Sequence, residues 1–258
     1  NESKVVRIFS NGYNLKFKNI IHEQINEDII NSKNSLNKVR TNIILNHDGY
    51  NINVVDQKNK QDRNIPLLKK MMQKEKEFYY WPYTLAISYM SINQNDDALK
   101  YLKISFKESL ENVVKASILD LIGVVHKSNN EWELVKEYAL RSLSLEKKQF
   151  TAYMLLTYYY NEVKNFKQSL KYVESLSQIH SDLVDKGSTL INDISIPLDT
   201  VNYYKAIALH GLNRFDKAMD IFLEVKNNIY NKCKFEGIDP IEDSRYINIL
   251  TSAIGCSR

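Results

Sequence analysis

The sequence has few of the residues that commonly mark turns and cross-links: seven glycines, four prolines and two cysteines in 258 residues. Because glycine and proline are the usual interruptions of a helix, their scarcity favours a mostly helical chain. The cysteines, Cys233 and Cys256, stand 23 residues apart (256−233) without a Cys-x-x-Cys spacing or a histidine at ligand spacing. Free thiols are therefore favoured over a disulfide or a metal site.

Long apolar runs and a strong charge of one sign are missing as well. No segment reaches the roughly 18 consecutive apolar residues of a membrane helix, and the first residues do not form a signal peptide. The 35 basic and 31 acidic residues give a net charge of +4 that is spread along the chain. Nucleic-acid binding would need a clustered basic face. These absences predict a cytoplasmic protein with no membrane span and no nucleic-acid partner.

The chain nevertheless has enough apolar material for a packed core. Hydrophobic residues make up 43% and charged residues 26% of the sequence, which is ordinary for a globular protein. Its length allows one large domain or two modest ones. Tyrosine is abundant, with 17 copies, and most of these rings are expected to fill space between packed helices.

Residues 83–106 have the pattern of a helical hairpin. A first helix carries Ala86 and Tyr89 on one face, and a second helix carries Ala98 and Leu102 on one face, with a polar turn between the two. Small residues at this spacing are needed where two helix axes approach most closely.

The same arrangement recurs three times downstream. The small residues of the second helices are Ala98, Val135, Ser169 and Ala218, and those twelve residues earlier are Ala86, Gly123, Thr157 and Ala206. The bulky residues four positions after the first set are Leu102, Ala139, Val173 and Phe222. The separations are 37 (135−98), 34 (169−135) and 49 (218−169) residues. The longest one predicts an insertion at residues 182–200.

From residue 79 to residue 226 this pattern resembles the tetratricopeptide repeat (TPR), a helical hairpin with a period of about 34 residues. The alternative is a set of four unrelated amphipathic hairpins, which would have no reason to keep period and small residues together. The fold prediction is mainly α, a TPR-like α-solenoid preceded by a small β-rich segment. The predicted domains are residues 1–60 for that segment and residues 61–258 for the repeats, with a capping helix at 240–254.

The amino-terminal residues read as strands. Asn11-Gly12 between apolar runs is a strong hairpin signal, since both central residues of a type I′ turn need positive φ. Another short strand covers residues 42–50, and a helix is expected to begin near Pro66. His22-Glu23 lacks the second histidine that a zinc-protease motif requires. By itself such a pair is more often structural than catalytic.

In combination, however, these strands resemble the end of the catalytic domain of family-2 glycosyltransferases, which one bacterial branch joins directly to TPR repeats. The matching residues are Arg7, Ile8, Phe9, Phe17, residues 21–25 and residues 47–50. Asp48 departs from the branch, which usually has an aromatic residue there. Because the sequence starts with Asn rather than Met, the chain is expected to be the carboxyl part of a longer enzyme.

The resemblance implies a nucleotide-sugar donor and a divalent metal, Mg or Mn, for the full enzyme. It places His22 at the metal or diphosphate site and Glu23 beside it, both as candidate catalytic residues. Arg7 is the candidate for binding a phosphate of the cofactor, although pairing with a neighbouring carboxylate is equally open. The Asp-x-Asp pair that holds the metal in the family does not occur in this sequence. The chain alone is therefore predicted to hold no cofactor and to transfer no sugar.

The first helices of stacked hairpins commonly line a groove that receives peptides. The positions that would face it form a nearly neutral surface with several aromatic residues: Tyr80, Tyr83, Ile87, Met90, Asp120, Val124, Lys127, Met154, Tyr158, Asn161, Tyr203, Ile207 and His210. The expected partner is an acceptor polypeptide or a second copy of the chain. Two alternatives stay open: the aromatic residues only fill space between repeats, or the chain is a free-standing interaction adaptor with no link to an enzyme.

Overall fold

The computed structural model describes residues 18–22, 57–76, 78–186, 196–237 and 239–249, and almost all of them are helical. The chain divides into two units, Asn1–Glu108 and Ser109–Arg258. The helices of the first unit are α1 (Gln57–Lys74), α2 (Tyr80–Met90) and α3 (Asn95–Glu108). Those of the second unit are α4 (Asn112–Ser128), α5 (Trp132–Leu145), α6 (Phe150–Glu162), α7 (Phe166–Lys186), α8 (Leu198–Gly211) and α9 (Phe215–Glu236).

Helix α1 begins earlier than the sequence predicts. It starts at Gln57 and runs through Pro66, whereas proline was expected to mark its first turn. Pro66 is exposed, but it cannot donate a helical hydrogen bond and its ring crowds the carbonyl of the preceding turn, so it is costly inside a helix. Leu68 and Met71 after the proline are fully buried, and Gln61 before it is buried as well, so packing stabilises α1 on both sides of Pro66.

In the first unit, α2 and α3 form the predicted hairpin. Ala86, Ala98 and Leu102 are all 0% exposed, as expected for positions where the two helices touch. Tyr89 and Tyr101 stack beside them with ring centroids 5.5 Å apart and planes only 3° from parallel. The sequence-based register of this hairpin is confirmed.

In the second unit, α4 pairs with α5, α6 with α7 and α8 with α9. The first helix of each following hairpin packs on both helices of the hairpin before it. The predicted small positions of the first helices, Gly123, Thr157 and Ala206, are buried. The corresponding positions of the second helices, Val135, Ser169 and Ala218, are at most 1% exposed, and the bulky residues four positions later are also buried. The repeat register therefore holds in all three hairpins.

The turn inside each of the four hairpins has the same backbone geometry. One residue shortly after the first helix has a left-handed φ: 58° at Asn93, 59° at Asn130, 56° at Lys164 and 59° at Asn213. In the first hairpin the N–H of this residue donates to the carbonyl of Met90, and the next N–H donates to the carbonyl of Tyr89. The other three turns repeat both bonds, which together form the Schellman motif.

Two hairpins have an additional polar link between their helices. The Ser105 hydroxyl in α3 donates to the carbonyl of Tyr79 at 2.9 Å, and the Ser142 hydroxyl in α5 donates to the carbonyl of Ala116 at 3.1 Å. Each donor lies 26 residues after its acceptor. Because both serines are fully buried, these bonds satisfy hydroxyl groups that would otherwise be costly in the core.

The predicted insertion and capping helix fall at the edges of the described ranges. Helix α7 continues to Lys186, so the beginning of the expected insertion is helical rather than loop. At the carboxyl end, Pro240–Glu242 form a 3-10 turn, which residues 244–249 follow as a helix. Most of the predicted strand residues, the predicted helical residues after 249 and most of the 1–60 domain lie outside the described residues. Residues 18–22, which belong to the second predicted strand region, have a single bridge at Lys18 followed by bends. Among the described residues, no helix is long and apolar enough to cross a membrane.

Lys164 is the one non-asparagine residue among the four left-handed turn positions, so we expect Lys164→Asn to stabilise the chain. Asparagine tolerates this conformation better than lysine, which predicts a gain of about 0.5–1 kcal/mol in the free energy of unfolding. The measurement is the urea midpoint followed by circular dichroism. Lys167→Asn is the matched control, because that exposed lysine lies within α7, where asparagine is the weaker helix former. Equal shifts for the two variants would contradict the turn argument.

Gly211 and Gly123 provide a second, comparative test of packing. A Cβ added at Gly211 would lie 2.2–2.4 Å from three ring carbons of Phe166, whereas one at Gly123 would lie 2.7 Å from a single methyl carbon of Leu155. A leucine methyl group can move aside more easily than a ring held at its own Cγ. We expect Gly211→Ala to cost about 1–3 kcal/mol of stability and Gly123→Ala less.

Gly123 lies inside α4 whereas Gly211 is the last residue of α8, so the gain in helix propensity also favours the alanine at position 123. Thermal unfolding of both variants measures the difference between them. If Gly123→Ala is the more destabilising of the two, the close contact with Phe166 is not what limits this turn.

Candidate functional site

The predicted groove positions fall into two groups according to their place in the repeat. Positions are counted from the first residues of the four repeats, which are residues 79, 116, 150 and 199. The fifth position is buried in all four: Tyr83 is 6%, Asp120 3%, Met154 0% and Tyr203 8% exposed. In this structure those four side chains belong to the core. Tyr203, for example, lies 6.0 Å from the ring of Phe222 on α9.

The other groove positions keep part of their surface accessible. In the first unit these half-buried residues are Tyr80, Ile87 and Met90. In the second unit they are Val124, Lys127, Tyr158, Asn161, Ile207 and His210. Asn161 donates to the Ser169 hydroxyl at 2.8 Å, and the ring of His210 lies 5.2 Å from that of Phe215. Both therefore contact the second helix of their own hairpin, and a partner-binding role for the accessible residues stays a prediction.

Three of the accessible side chains form a row across the first helices of the second unit. The ammonium of Lys127 on α4 lies 4.5 Å from the ring centroid of Tyr158 on α6. Tyr158 in turn meets Tyr204 on α8 edge to face, with ring centroids 4.6 Å apart. This row of Lys127, Tyr158 and Tyr204, which we call the cation–tyrosine row, joins one residue from each of the three first helices.

The charge state of this row follows from its burial. Burial lowers the pKa of the Lys127 ammonium, because a charged group loses hydration there. Burial also raises the pKa of the Tyr158 and Tyr204 hydroxyl groups, so both tyrosines stay neutral at physiological pH. The row is therefore a single cation beside two neutral aromatic rings. A cation over a ring face gains about 0.5–2 kcal/mol, depending on how far it is desolvated.

Arg245, in the carboxyl-terminal segment, interacts electrostatically with Tyr158 and Tyr204 of the row. Its guanidinium donates twice to the carboxylate of Asp243, at 3.0 and 2.6 Å, and once to the Thr200 hydroxyl at 2.8 Å. Hydrogen bonding to Arg245 lowers the pKa of the Asp243 carboxyl. Because Thr200 lies at the start of α8, this pairing fixes the last described residues against that helix.

Asp120 on α4 has a buried carboxyl group that lacks a complete set of hydrogen-bond partners. Its Oδ1 atom has no hydrogen-bond partner among the described residues. Burial raises the pKa of Asp120 to about 7, and the nearby hydroxyl of Ser142 opposes that shift. A buried acid of this kind is neutral in part at physiological pH, since ionising it in a poorly hydrated site is costly.

Of the residues assigned to the glycosyltransferase site, the described ranges include only His22. Its backbone has a left-handed φ of 54°, and its ring meets Tyr80 edge to face at 6.1 Å. Arg7 and Glu23 lie outside the described residues. Within the described ranges no group of three His, Cys, Asp or Glu could hold a metal ion. The roles predicted for Arg7, His22 and Glu23 at a metal or diphosphate site therefore stay predictions.

No protein-family model matches the sequence, and neither does any curated protein. Solved structures do match. The crystal structure of MamA is 18% identical, covers 69% of this chain and 93% of its own, and has a TM-score of 0.51. A TPR protein from Parabacteroides merdae ATCC 43184 is 15% identical, with coverage of 67% and 61% and a TM-score of 0.50.

The Cut9–Hcn1 hetero-tetramer of the APC/C is also similar, at 15% identity and a TM-score of 0.54. It covers 77% of this chain, which spans 37% of that one. Likeness at this level of identity shows the fold alone. The helical hairpins of this chain are TPR-like, as their spacing predicts, and none of these structures connects them to a glycosyltransferase.

Two contributors to the site were missed by the sequence pattern. Tyr204 is one position away from Tyr203, which the repeat register selected for the groove, and the structure buries Tyr203 instead. Arg245 lies in a segment expected only to cap the last repeat. A signal for Tyr204 was available, because Tyr204, Ile207 and His210 lie on one face of a helix at three-residue spacing.

Asp120 predicts a pH-dependent stability. The raised pKa means that the folded chain holds this proton more tightly than the unfolded chain does. The contribution of this bound proton to folding stability is complete below the unfolded-state pKa of 3.8 and is lost as the pH rises through about 7. We expect Asp120→Asn to be more stable than the parent at pH 8, by an amount on the order of a few kcal/mol, with a smaller difference at pH 5.

Urea unfolding of both proteins at pH 5 and pH 8 measures this difference. Asp220→Asn is the matched control, because that aspartate is exposed on α9. If Asp120→Asn and Asp220→Asn show the same dependence on pH, the buried carboxyl group of Asp120 is not its source.

Proposed function

We propose that this chain is a protein-interaction module that binds an extended polypeptide segment on the first helices of its second unit. The observation that carries the proposal is the cation–tyrosine row, which keeps accessible surface while the fifth positions beside it are core residues. Tyrosine is suited to this role, since a half-buried ring offers an apolar face at a low cost in conformational entropy.

The TPR-like fold supports the same proposal. Stacked helical hairpins present their first helices side by side, and such surfaces commonly receive extended chains. One structural neighbour, Cut9–Hcn1, is a hetero-tetramer, that is, an assembly of different chains. By analogy we place the partner of this chain among polypeptides rather than small molecules.

The carboxyl-terminal part of a glycosyltransferase is a second candidate. It is favoured only by the run from Arg7 to Tyr50 and by the position of His22, which resemble the family in sequence. On this proposal the repeats would hold the acceptor polypeptide, and Arg7, His22 and Glu23 would complete a site whose metal and nucleotide-sugar are held elsewhere. Incubating the chain with Mn²⁺ and UDP-glucose and measuring UDP release tests the prediction that this chain alone transfers no sugar. We expect no release, and release would contradict that prediction.

To test the interaction module, a phage-displayed library of random 12-residue peptides that end in a free carboxyl group is selected on the intact chain. A selected peptide is then synthesised with a fluorophore, and its binding is measured by anisotropy. We expect saturable binding that depends on the first helices. A photo-cross-linking residue is therefore placed at His210 on α8 and, in a separate variant, at Leu140 on α5.

Leu140 is the matched control because it is exposed on a second helix. Cross-linking at position 210 and not at position 140 supports the proposal. The reverse pattern assigns binding to the other face and overturns it. If the library yields no binder, peptide binding itself is rejected, and sedimentation equilibrium then tests self-association as the alternative.

A further inference from the structure

The cation–tyrosine row contains a charge for which the described structure provides no counter-ion. Lys127 is half-buried, and burial lowers the pKa of its ammonium group. Within the described part of the chain, no carboxylate forms an ion pair with Lys127. Its ammonium group lies over the ring of Tyr158 instead. A partly desolvated cation without an anion is energetically unfavourable, and it is usually compensated by pairing.

Two other cations of the same unit show the difference. Lys136 lies 5.0 Å from the ring of Tyr159 and has the carboxylate of Glu133 within 3.9 Å. Arg141 lies 5.1 Å from the ring of Tyr138 and has the carboxylate of Glu137 at 3.4 Å. Both are thus bound by a ring and an anion together. Lys127 has the closest ring contact of the three and lacks the anion.

The acidic groups around the row do not supply that anion. Glu162 interacts electrostatically with Tyr204 at the other end of the row, and among the described residues it forms no ion pair with Lys127. Asp120 lies seven residues earlier on α4, about 10 Å along the helix axis, and its carboxyl group is buried near the hydroxyl of Ser142. Asp243 is engaged by Arg245 through two hydrogen bonds. The neighbouring tyrosine hydroxyl groups are neutral. Charge complementarity therefore assigns the missing carboxylate to a molecule that binds from outside.

We infer that Lys127 anchors a carboxylate of the bound polypeptide, while the rings of Tyr158 and Tyr204 hold the adjoining apolar part of the segment. This inference rests on the proposed peptide-binding function and specifies its ligand: a segment with one acidic group, set beside apolar or aromatic residues. The groove is otherwise nearly neutral, so a single ion pair, rather than a cluster of charges, sets the orientation of the segment. The carboxylate is supplied by an acidic side chain or by the end of the chain.

The test uses the peptides selected from the random library on the intact chain. We expect the selected sequences to share an acidic group. Lys127→Gln should weaken binding of a selected peptide about tenfold, and exchange of its acidic group for the amide should cause the same loss. Combining the two changes should add no further loss, because each removes the same ion pair. Lys127→Glu paired with a lysine in the peptide should restore binding.

Lys226→Gln is the matched control, since Lys226 lies 6.0 Å from the ring of Tyr246 in the same unit, away from the row. It should leave the affinity unchanged. Circular dichroism confirms that each variant is folded. Each peptide is made with a free and with an amidated carboxyl end: equal affinities assign the carboxylate to a side chain, and loss on amidation assigns it to the chain end.

Two outcomes separate this inference from the function on which it rests. If selected peptides bind and cross-link at His210 while Lys127→Gln leaves their affinity unchanged, the carboxylate anchor is wrong and the interaction module stands. If no peptide is selected by the parent chain, both proposals are rejected.

Discussion

The close approach of two helices at paired small residues is the constraint on which this structure depends. Ala86 and Ala98 make it possible in the first unit, and Thr157 and Ser169 are one such pair in the second. The left-handed turn residue lies five positions before the second member of every pair, for example Asn93 before Ala98. The turn thus fixes which residue of the second helix meets the first. A larger residue at any of these positions would separate the helix axes and shift everything that packs on them.

This register determines what each first helix can offer to a partner. The fifth position of every repeat is directed into the hairpin core, so even the carboxyl group of Asp120 is buried there, at a cost that shows in its raised pKa. Two turns later on the same helix, Lys127 lies at the surface against Tyr158. One helix therefore has a buried acid and a half-buried base that do not neutralise each other. The unpaired base, placed among neutral rings, is the feature that gives the surface a chemical preference.

Most of the helical framework could be predicted from the sequence, because small residues, turn asparagines and the repeat period are local signals that point to the same arrangement. The details of the site could not. Burial of Tyr203 rather than Tyr204 depends on the rotation of α8 against α9, which a period of about 34 residues does not specify. Helix α1 contains Pro66 in its interior because tertiary burial on both sides of it, of Gln61 before and of Leu68 and Met71 after, outweighs the local preference of proline for the first turn. Arg245 reaches Thr200 from 45 residues away, and no local pattern signals such a contact.

The central claim is that the accessible rings of the first helices bind a polypeptide. The most direct measurement is NMR of the chain with ring-labelled tyrosine, titrated with a selected peptide and assigned through single Tyr→Phe variants. The account predicts that the ring signals of Tyr158 and Tyr204 shift with the peptide. Tyr160 and Tyr172, which stack on each other between α6 and α7, should be unaffected. Shifts confined to Tyr160 and Tyr172, with Tyr158 and Tyr204 unchanged, would contradict it.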